Sequence, residues 1–314
     1  MTAALSIFYV LAGLVLLERS SDAFVDGAAM LARRFKVSPF IIGMVIIGFG
    51  TSAPELCVSL IAGLSDRANL SLGDAYGSCV FNITAILGVT AFIRTLAVKR
   101  GATLFAGLVL SAVGVLSMVL AHDLEIARYE AFILLGAFAV LFPVYCFFSR
   151  QQAAADAAPA HPFRPLEATL KLTIGLAVLV GSSQLLVKGA ADLARLMGVS
   201  ELMIGLTVIA IGTSLPELAA AIQSARRGEA EFVLGNIIGS NLFNLLAVVG
   251  LASSFNGARG FSDNVFDRDL PATIVAAILI ALFGRNGKIT RLEGTIWLFT
   301  FLAYLALTIY QEIL

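Results

Sequence analysis

The sequence predicts an all-α integral membrane protein of ten transmembrane helices, arranged as two inverted five-helix repeats with broken helices 2 and 7. Three observations lead to this prediction. The 314-residue chain is 59% hydrophobic and only 13% charged, whereas soluble domains carry about 25% charged residues. It contains apolar runs of the length that crosses a bilayer. A pattern that includes proline and glutamate, GTSxPE, occurs twice inside those runs, at Gly50–Glu55 and Gly212–Glu217.

The apolar runs follow one another with short connections, and no segment reads as a soluble domain. The first and sixth runs are longer than a bilayer needs, which indicates strong tilt. The N-terminus has no basic residue before Arg19, so we expect the first run to be a retained helix. The predicted spans are Ala3–Leu31, Pro39–Leu64, Leu70–Leu96, Thr103–Leu120, Ile126–Phe148, Leu166–Leu196, Glu201–Ala225, Glu231–Ser254, Leu270–Phe283 and Leu292–Ile313.

The two halves of the chain repeat each other with an offset of 217 − 55 = 162 residues. In this register GAAMLAR matches GAADLAR, and GDAYGSCVFN matches GNIIGSNLFN. We therefore divide the chain into a first repeat (1–150), a cytoplasmic linker rich in Ala, Pro and Gln (151–165), and a second repeat (166–314). Because each repeat has five spans, an odd number, the second enters the membrane upside down. Inverted repeats with broken helices are typical of secondary transporters.

The distribution of Lys and Arg predicts the orientation in the membrane. Five basic residues collect on one side: Arg67, Arg128, Arg195, Arg259 and Arg268. Fourteen collect on the other: Arg33, Arg34, Lys36, Arg94, Lys99, Arg100, Arg150, Arg164, Lys171, Arg226, Arg227, Arg285, Lys288 and Arg291. The richer side is predicted to be cytoplasmic, with both termini outside. We expect a plasma membrane protein of the bacterial inner-membrane type.

The repeated hexapeptide combines features that a bilayer rarely tolerates. A charged side chain at mid-membrane costs at least about 2.5–3.5 kcal/mol, so a glutamate there indicates function. Proline lacks an N–H and disrupts the helix one turn back, which predicts free carbonyls at Gly50 and Gly212. Carbonyls, hydroxyls and a carboxylate within six residues are ligands for a hard cation such as Ca²⁺.

The third and eighth predicted spans supply further polar residues, Ser78 and Asn82 in one repeat and Ser240 and Asn244 in the other. The four-residue spacing places each pair on one helical face, which we expect to face the broken helix of the same repeat. The combined oxygens could hold one Ca²⁺ or several Na⁺. Oxygen ligation without histidine disfavours zinc and copper.

Other polar residues have simpler interpretations. A formal net charge of zero gives no indication of nucleic-acid binding. The acids of the first span, Glu18, Asp22 and Asp26, are expected to form ion pairs rather than to bind cations. Asp74 stands opposite Asn236 in the repeat register. We interpret Asp74 as a helix-start residue near the outer surface rather than as an extra carboxylate of the site.

The paired GTSxPE motifs, each followed by G-(N/D)-x-x-G-S-x-x-F-N, resemble the α-repeats of the sodium/calcium exchanger (cation/Ca²⁺ antiporter) superfamily, in its prokaryotic form. The resemblance covers nearly the whole chain. It implies an antiporter that exchanges Ca²⁺ for Na⁺ across the membrane through inward-facing and outward-facing states. A cofactor is not expected beyond the transported ions, and a monomer suffices for transport.

The resemblance also implies a set of ion ligands. Glu55 and Glu217 would bind Ca²⁺ through their carboxylates, and Asn82 matches the polar ligand of the first repeat. Two threonine carbonyls would assist Ca²⁺ binding, at Thr51 and Thr213. Four hydroxyls and two backbone positions would serve Na⁺: Ser52, Ser78, Ser214, Ser240, Gly48 and Ala210. Many members carry Asp where this chain has Asn244, so the number of Na⁺ ions per Ca²⁺ is not given by the resemblance.

Several alternatives stay open at this stage. The counter-ion could be H⁺, with Glu55 or Glu217 as the proton carrier, or the substrate could be another divalent cation. A channel lined by the same oxygens would lack counter-ion coupling. An intramembrane hydrolase would use Ser52 or Ser214 as nucleophile, but the sequence offers neither serine a His or Lys as base. The oligomeric state, the ion stoichiometry and any dependence on K⁺ are not predicted.

Overall fold

The computed structural model describes residues 2–153 and 164–313, and this part of the chain is almost entirely helical, which confirms the all-α class. In the first repeat, helices α1, α3, α5 and α6 are Ala3–Phe35, Ala53–Leu64, Arg100–Leu120 and Arg128–Ala153. Helix α2 comprises Pro39–Ile42, a π-helical segment at Gly43–Gly48, and Phe49–Thr51. Helix α4 comprises Ala68–Phe81, a π-helical segment at Asn82–Ile86, and Leu87–Ile93.

The second repeat has the same order of helices. Helices α7, α9 and α12 are Pro165–Leu196, Leu215–Arg227 and Arg291–Ile313. Helix α8 comprises Glu201–Ile204, a π-helical segment at Gly205–Ile209, and Ala210–Gly212. Helix α10 comprises Ala230–Leu242, a π-helical segment at Phe243–Val248, and Val249–Ser254. Helix α11 comprises a π-helical segment at Val265–Asp269 and Leu270–Phe283, and a 3₁₀ turn follows at Gly284–Asn286.

Six of these helices are long and apolar enough to cross a membrane: Ala3–Phe35, Ala68–Ile93, Arg100–Leu120, Pro165–Leu196, Ala230–Ser254 and Arg291–Gln311. Helices α2 and α3 form a further span if they are counted together, although they are bent by 47° where they meet. The protein is therefore a multi-span membrane protein. The count of ten spans stays a prediction.

Several helix ends differ from the predicted runs. Helix α1 continues to Phe35 rather than ending at Leu31, because its hydrogen-bonded backbone extends past the apolar stretch into basic residues. Hydropathy places Leu96 and Ile126 in spans, but both residues lie in short strands between helices. Residues 154–163 of the predicted linker lie outside the described residues. Helix α6 includes the first linker positions, up to Ala153, and helix α7 begins at the last one, Pro165.

Four two-residue strands show which connections share a face of the molecule. They are β1 (Leu96–Ala97), β2 (Glu125–Ile126), β3 (Ala258–Arg259) and β4 (Lys288–Ile289). Strand β1 pairs with β4 in antiparallel register, and β2 pairs with β3. We call the face with β1 and β4 the basic face, because most of the predicted cytoplasmic Lys and Arg lie there. The face with β2, β3 and the 65–67 turn is the opposite face, and a hydrogen bond from Asn256 to Asp66 joins its connections.

The long helices α1 and α7 pack against each other along glycines. A Cβ at Gly13 would lie 2.9 Å from Leu186, and one at Gly189 would lie 2.8 Å from the Ser6 carbonyl. Near the basic face the pair is joined by Lys171, whose Nζ donates to Asp26 at 2.6 Å. Arg227, at the end of α9, donates to Asp22 at 2.6 Å and to Asp26 at 3.2 Å. Glu18 lies 3.6 Å from Arg19 of the same helix, so the prediction that these first-span acids form ion pairs is confirmed.

Candidate cation-binding site

The second helix of each repeat is interrupted inside its GTSxPE motif. Helix α2 ends at Thr51 and α3 begins at Ala53, while Ser52 between them leaves helical geometry at φ −80°, ψ 8°. Ser214 has almost the same backbone angles, φ −91° and ψ 10°, at the start of α9. Each proline falls within the first two residues of the new helix, where its missing N–H breaks no helical hydrogen bond. The motif therefore starts a helix whose first turn carries the glutamate.

The two interruptions meet, and their side chains are bonded reciprocally. The Ser52 hydroxyl donates to Glu217 Oε1 at 2.8 Å, and the Ser214 hydroxyl donates to Glu55 Oε1 at 2.8 Å. Each bond joins residues from different repeats. The structure thus brings together the four side chains that the sequence singled out first.

Both glutamates are buried, with exposed fractions of 0% for Glu55 and 1% for Glu217. The second carboxylate oxygen of each, Oε2, has no hydrogen-bond partner among the described residues. Within residues 2–153 and 164–313, no Lys or Arg pairs with either carboxylate. Burying two carboxylates without positive charge is expensive, and the arrangement fits a bound cation that neutralises them.

One serine of α4 and one of α10 supply further hydroxyls to the site. Ser78 lies 3.2 Å from Ser214 through its hydroxyl oxygen. The Ser240 hydroxyl donates to the carbonyl of Gly48 at 3.1 Å. Both contacts cross to the broken helix of the other repeat, so the expectation that this polar face looks onto the broken helix of the same repeat is wrong. The cause is the intertwined packing, which sets α10 against α2.

Asn82 and Asn244 are buried, with exposed fractions of 1% and 0%. Neither the oxygen nor the nitrogen of either amide has a hydrogen-bond partner in the described chain. Buried amides are normally satisfied, so both side chains are available to a ligand. Asn82 begins the π-helical segment of α4, and Asn244 is the second residue of the one in α10. Single π-helical turns inside α-helices occur frequently at functional sites.

The remaining predicted ligands are two threonines and two backbone positions. The Thr51 hydroxyl donates to the Ile47 carbonyl at 2.8 Å, as in an ordinary helical turn. It also lies 3.5 Å from Asn236 Oδ1, and the Thr213 hydroxyl makes the matching contact with Asp74 Oδ1 at 3.5 Å. Gly48 is buried, and its carbonyl accepts the Ser240 hydroxyl, whereas Ala210 at the matching position is exposed. The backbone positions of the two repeats therefore differ in this conformation.

Two polar residues near the site were not expected to belong to it. Asn236 donates its amide N–H to the Glu217 carbonyl at 3.1 Å and so joins α10 to α9. Asp74 is the seventh residue of α4, and it accepts hydrogen bonds inside the protein. The interpretation of Asp74 as a helix-start residue is therefore wrong. The sequence could have indicated both residues, because Asp74 lies one helical turn before Ser78 and Asn236 lies one turn before Ser240.

The half of the molecule toward the basic face is closed by glycine packing between α2 and α10. A Cβ at Gly43 would lie 2.9 Å from the Phe232 carbonyl, and one at Gly48 would lie 3.0 Å from the Asn236 carbonyl. Gly239 of α10 contacts Met44 of α2 closely enough that no side chain would fit between them. The two backbones touch.

The matching half toward the opposite face is open. Gly73, Gly77 and Gly205 are the counterparts of glycines in the closed half. A Cβ at any of these three would meet no atom of the described chain within 4 Å. Ile209 is 47% exposed, while its counterpart Ile47 is fully buried. The two repeats thus adopt different arrangements around one central site.

The site contains two carboxylates rather than a dense acidic cluster. Across residues 2–153 and 164–313, no three His, Cys, Asp or Glu side chains converge to hold a metal ion. Its remaining ligands are hydroxyl and amide oxygens. Such a set suits weakly held hard cations better than a permanently bound transition metal.

Comparison with known proteins identifies the family of this site. The sequence profile of the sodium/calcium exchanger protein family matches residues 5–148 and 168–310, which is most of each repeat. The chain belongs to that family. The resemblance seen in the paired motifs is confirmed, and the protein is a membrane protein of a cation-antiporter family.

Individual relatives of this exchanger-family chain match along nearly its full length. CaxA of Alkalimonas amylolytica is 40% identical over 309 residues, covering 94% of this chain and 96% of its own. The sodium/calcium exchanger MaX1 of Methanosarcina acetivorans is 26% identical, covering 96% and 97%. A solved structure of the sodium–calcium exchanger NCX_Mj, soaked with Na⁺ and Sr²⁺, superimposes with a TM-score of 0.84 at 30% identity, covering 97% of this chain and 99% of that one.

Proposed function

We propose that the protein is a secondary active antiporter that exchanges Ca²⁺ for Na⁺ by alternating access, with the ions bound at mid-membrane between the paired GTSxPE motifs. The observation that carries this proposal is the pair of buried glutamates, Glu55 and Glu217, with an unpartnered oxygen each and no basic partner among the described residues. A Lys or Arg side chain would neutralise the carboxylates permanently, whereas an exchangeable cation can enter and leave the site.

The ligand chemistry favours Ca²⁺ and Na⁺. In the proposed site, the carboxylates of Glu55 and Glu217 bind Ca²⁺, aided by the carbonyls of Thr51 and Thr213 and by the unpartnered amide oxygen of Asn82. Oxygen ligands at about 2.3–2.6 Å are what Ca²⁺ requires. Hydroxyl and backbone oxygens serve Na⁺ in overlapping positions, namely those of Ser52, Ser78, Ser214, Ser240, Gly48 and Ala210. Asn244 contributes its neutral amide oxygen to the same site.

Alternating access is supported by the unequal packing of the two repeats. In this conformation α2 and α10 are in backbone contact toward the basic face, while α8 and α4 are apart toward the opposite face. Because the repeats are related by inversion, exchanging their two arrangements would close the opposite face and open the basic face. The central site would then be reached from one side at a time.

We further propose that the basic face is cytoplasmic and that both termini lie outside, in a plasma membrane of the bacterial inner-membrane type. Loops rich in Lys and Arg stay in the cytoplasm. The pairing of β1 with β4 supports the grouping of these loops, since it joins two connections that both carry basic residues. Under this orientation the conformation described above is open to the outside.

Transport is a better explanation of the motif serines than catalysis. Ser52 and Ser214 donate to glutamates of the opposite repeat, and neither has a His or Lys partner in the described chain. We therefore propose that the protein is not an enzyme and needs no cofactor beyond the transported ions. One chain contains both motifs, so a monomer suffices. The names of the relatives MaX1 and NCX_Mj as sodium/calcium exchangers support the same ions.

The counter-ion is the part of the proposal that needs a direct test. Purified protein is reconstituted into liposomes loaded with Na⁺, with K⁺, or with buffer that imposes a proton gradient, and ⁴⁵Ca²⁺ uptake is measured. We expect uptake only when an outward Na⁺ gradient is present. Uptake driven by the proton gradient alone would establish the rival Ca²⁺/H⁺ antiport. Uptake that needs no counter-gradient would indicate a channel. Mn²⁺ or Mg²⁺ that abolishes the uptake by competition would widen the substrate class.

A further inference from the structure

Asp74 is an acidic side chain inside the membrane region that the proposed central site does not use. It lies in the half of α4 that runs from the opposite face toward Ser78, one helical turn before that serine. The side chain is half-buried. Its Oδ2 accepts a hydrogen bond from Ser59 at 3.0 Å, and its Oδ1 lies 3.5 Å from the Thr213 hydroxyl. In the described chain it has no Lys or Arg partner.

The matching residue in the second repeat, Asn236, plays a different part. Its amide N–H donates to the Glu217 carbonyl, and its Oδ1 lies 3.5 Å from Thr51, the counterpart of Thr213. Asn236 thus ties helices together on the closed side. An ionised carboxylate has no N–H to donate, so Asp74 cannot make the equivalent bond on the open side. The two repeats differ here in charge as well as in packing.

The surroundings of Asp74 give a cation a way to reach it. Gly73 beside it and Gly77 one turn further both border open space, where an added Cβ would meet no described atom within 4 Å. Thr213, which Asp74 contacts, directly precedes Ser214, whose hydroxyl bonds to Glu55. Asp74 is therefore close to the central carboxylates but takes no part in their reciprocal bonds with the serines.

We propose that Asp74, with the hydroxyls of Ser59 and Thr213, forms an outer cation subsite that loads the central site from the opposite face. This inference rests on the proposed antiport function and adds a station to its ion path. One carboxylate and two hydroxyls bind a hard cation such as Ca²⁺ or Na⁺ weakly, which suits a site that must release its ion inward. The subsite adds negative charge to the ion path. Helix α10 carries the neutral Asn244 there in place of an acid.

The test compares Asp74→Asn with three other variants. Asp66→Asn removes the same charge from the exposed 65–67 turn on the same face and is the matched control. Asp74→Glu keeps the charge, and Glu55→Gln disables the central site. For each protein, Na⁺-driven ⁴⁵Ca²⁺ uptake is measured against Ca²⁺ concentration in right-side-out and inside-out membrane vesicles. Gel filtration of the purified protein checks folding, and Asp74→Ser replaces Asp74→Asn if the latter does not give a monodisperse peak.

We expect Asp74→Asn to raise the half-saturating Ca²⁺ concentration by about tenfold when Ca²⁺ is supplied at the opposite face, with a smaller change at the basic face. Asp66→Asn should match the unaltered protein, and Asp74→Glu should restore most of the affinity. Equal saturation curves for Asp74→Asn and the unaltered protein would overturn the subsite. An equal shift at both faces would overturn its outer placement. If instead the unaltered protein shows no Na⁺-driven uptake, the proposed function fails first, and that outcome is separate.

Discussion

The Ser214 hydroxyl donates a hydrogen bond to Glu55 across the boundary between the repeats, at 2.8 Å. Its counterpart, from Ser52 to Glu217, has the same length. Each glutamate is therefore oriented by the broken helix of the other repeat. The site exists only where both interruptions meet, which explains why the motif occurs twice in one chain.

The first prediction concerns these reciprocal bonds. Ser214→Ala and Ser52→Ala should each weaken Ca²⁺ binding by roughly tenfold or more, because a hydrogen bond to a charged group contributes about 1.5–3 kcal/mol. Isothermal titration of the purified proteins with Ca²⁺ measures the change. Ser182→Ala is the matched control, since among the described residues that buried hydroxyl bonds only to the Leu179 carbonyl of its own helix. If Ser52→Ala and Ser214→Ala bind Ca²⁺ as tightly as Ser182→Ala and the unaltered protein, the serines do not position the glutamates.

Asn244→Asp should change ion coupling more than folding. Asn and Asp have nearly the same size, so the packing around this buried position should persist. A third carboxylate attracts cations more strongly, since two unit charges 4 Å apart interact by roughly 4 kcal/mol at an effective dielectric constant of 20. Ca²⁺ flux measured against Na⁺ concentration at several pH values should shift. Superimposable curves for the two proteins would mean that position 244 does not face the transported ions.

The unequal glycine packing predicts unequal effects of two equivalent substitutions. Gly239→Ala should lower the melting temperature in detergent by several degrees, because its Cβ would lie 2.7 Å from the Cα of Met44. Gly77→Ala, at the matching position of α4, has open space around it and should leave the melting temperature unchanged. It should still slow exchange, since the open half must close in the other state. Full exchange activity of Gly77→Ala would contradict that closure.

The orientation of the chain can be tested by cysteine labelling. In a protein without its three native cysteines, Ala157→Cys in the linker should be protected from an impermeant maleimide applied to intact cells. His122→Cys, in an exposed connection of the opposite face, should react. These outcomes follow from the fourteen-to-five distribution of basic residues. If position 157 reacts from outside and position 122 does not, the proposed orientation is wrong.

Composition and the internal repeat were enough to predict the class of fold and the residues at its centre. Hydropathy is a strong signal because lipid requires apolar surface. Glu55 and Glu217 are conspicuous because they are acids inside apolar runs of the sequence. The sequence did not predict that Ser78 and Ser240 contact the other repeat, since two inverted repeats can pack in more than one way. Nor did it predict the role of Asp74. A half-buried acid and a surface acid look the same until the helix packing is known.

The most direct test of the account is to neutralise each central glutamate in turn. Glu55→Gln and Glu217→Gln keep the side-chain shape and remove the charge that would hold the ion. Both proteins should be folded and extractable, and both should lose Ca²⁺ exchange in proteoliposomes with an outward Na⁺ gradient, since burying an acid at mid-membrane is costly without a cation to neutralise it. Near-normal ⁴⁵Ca²⁺ flux through either folded variant would contradict the proposed site.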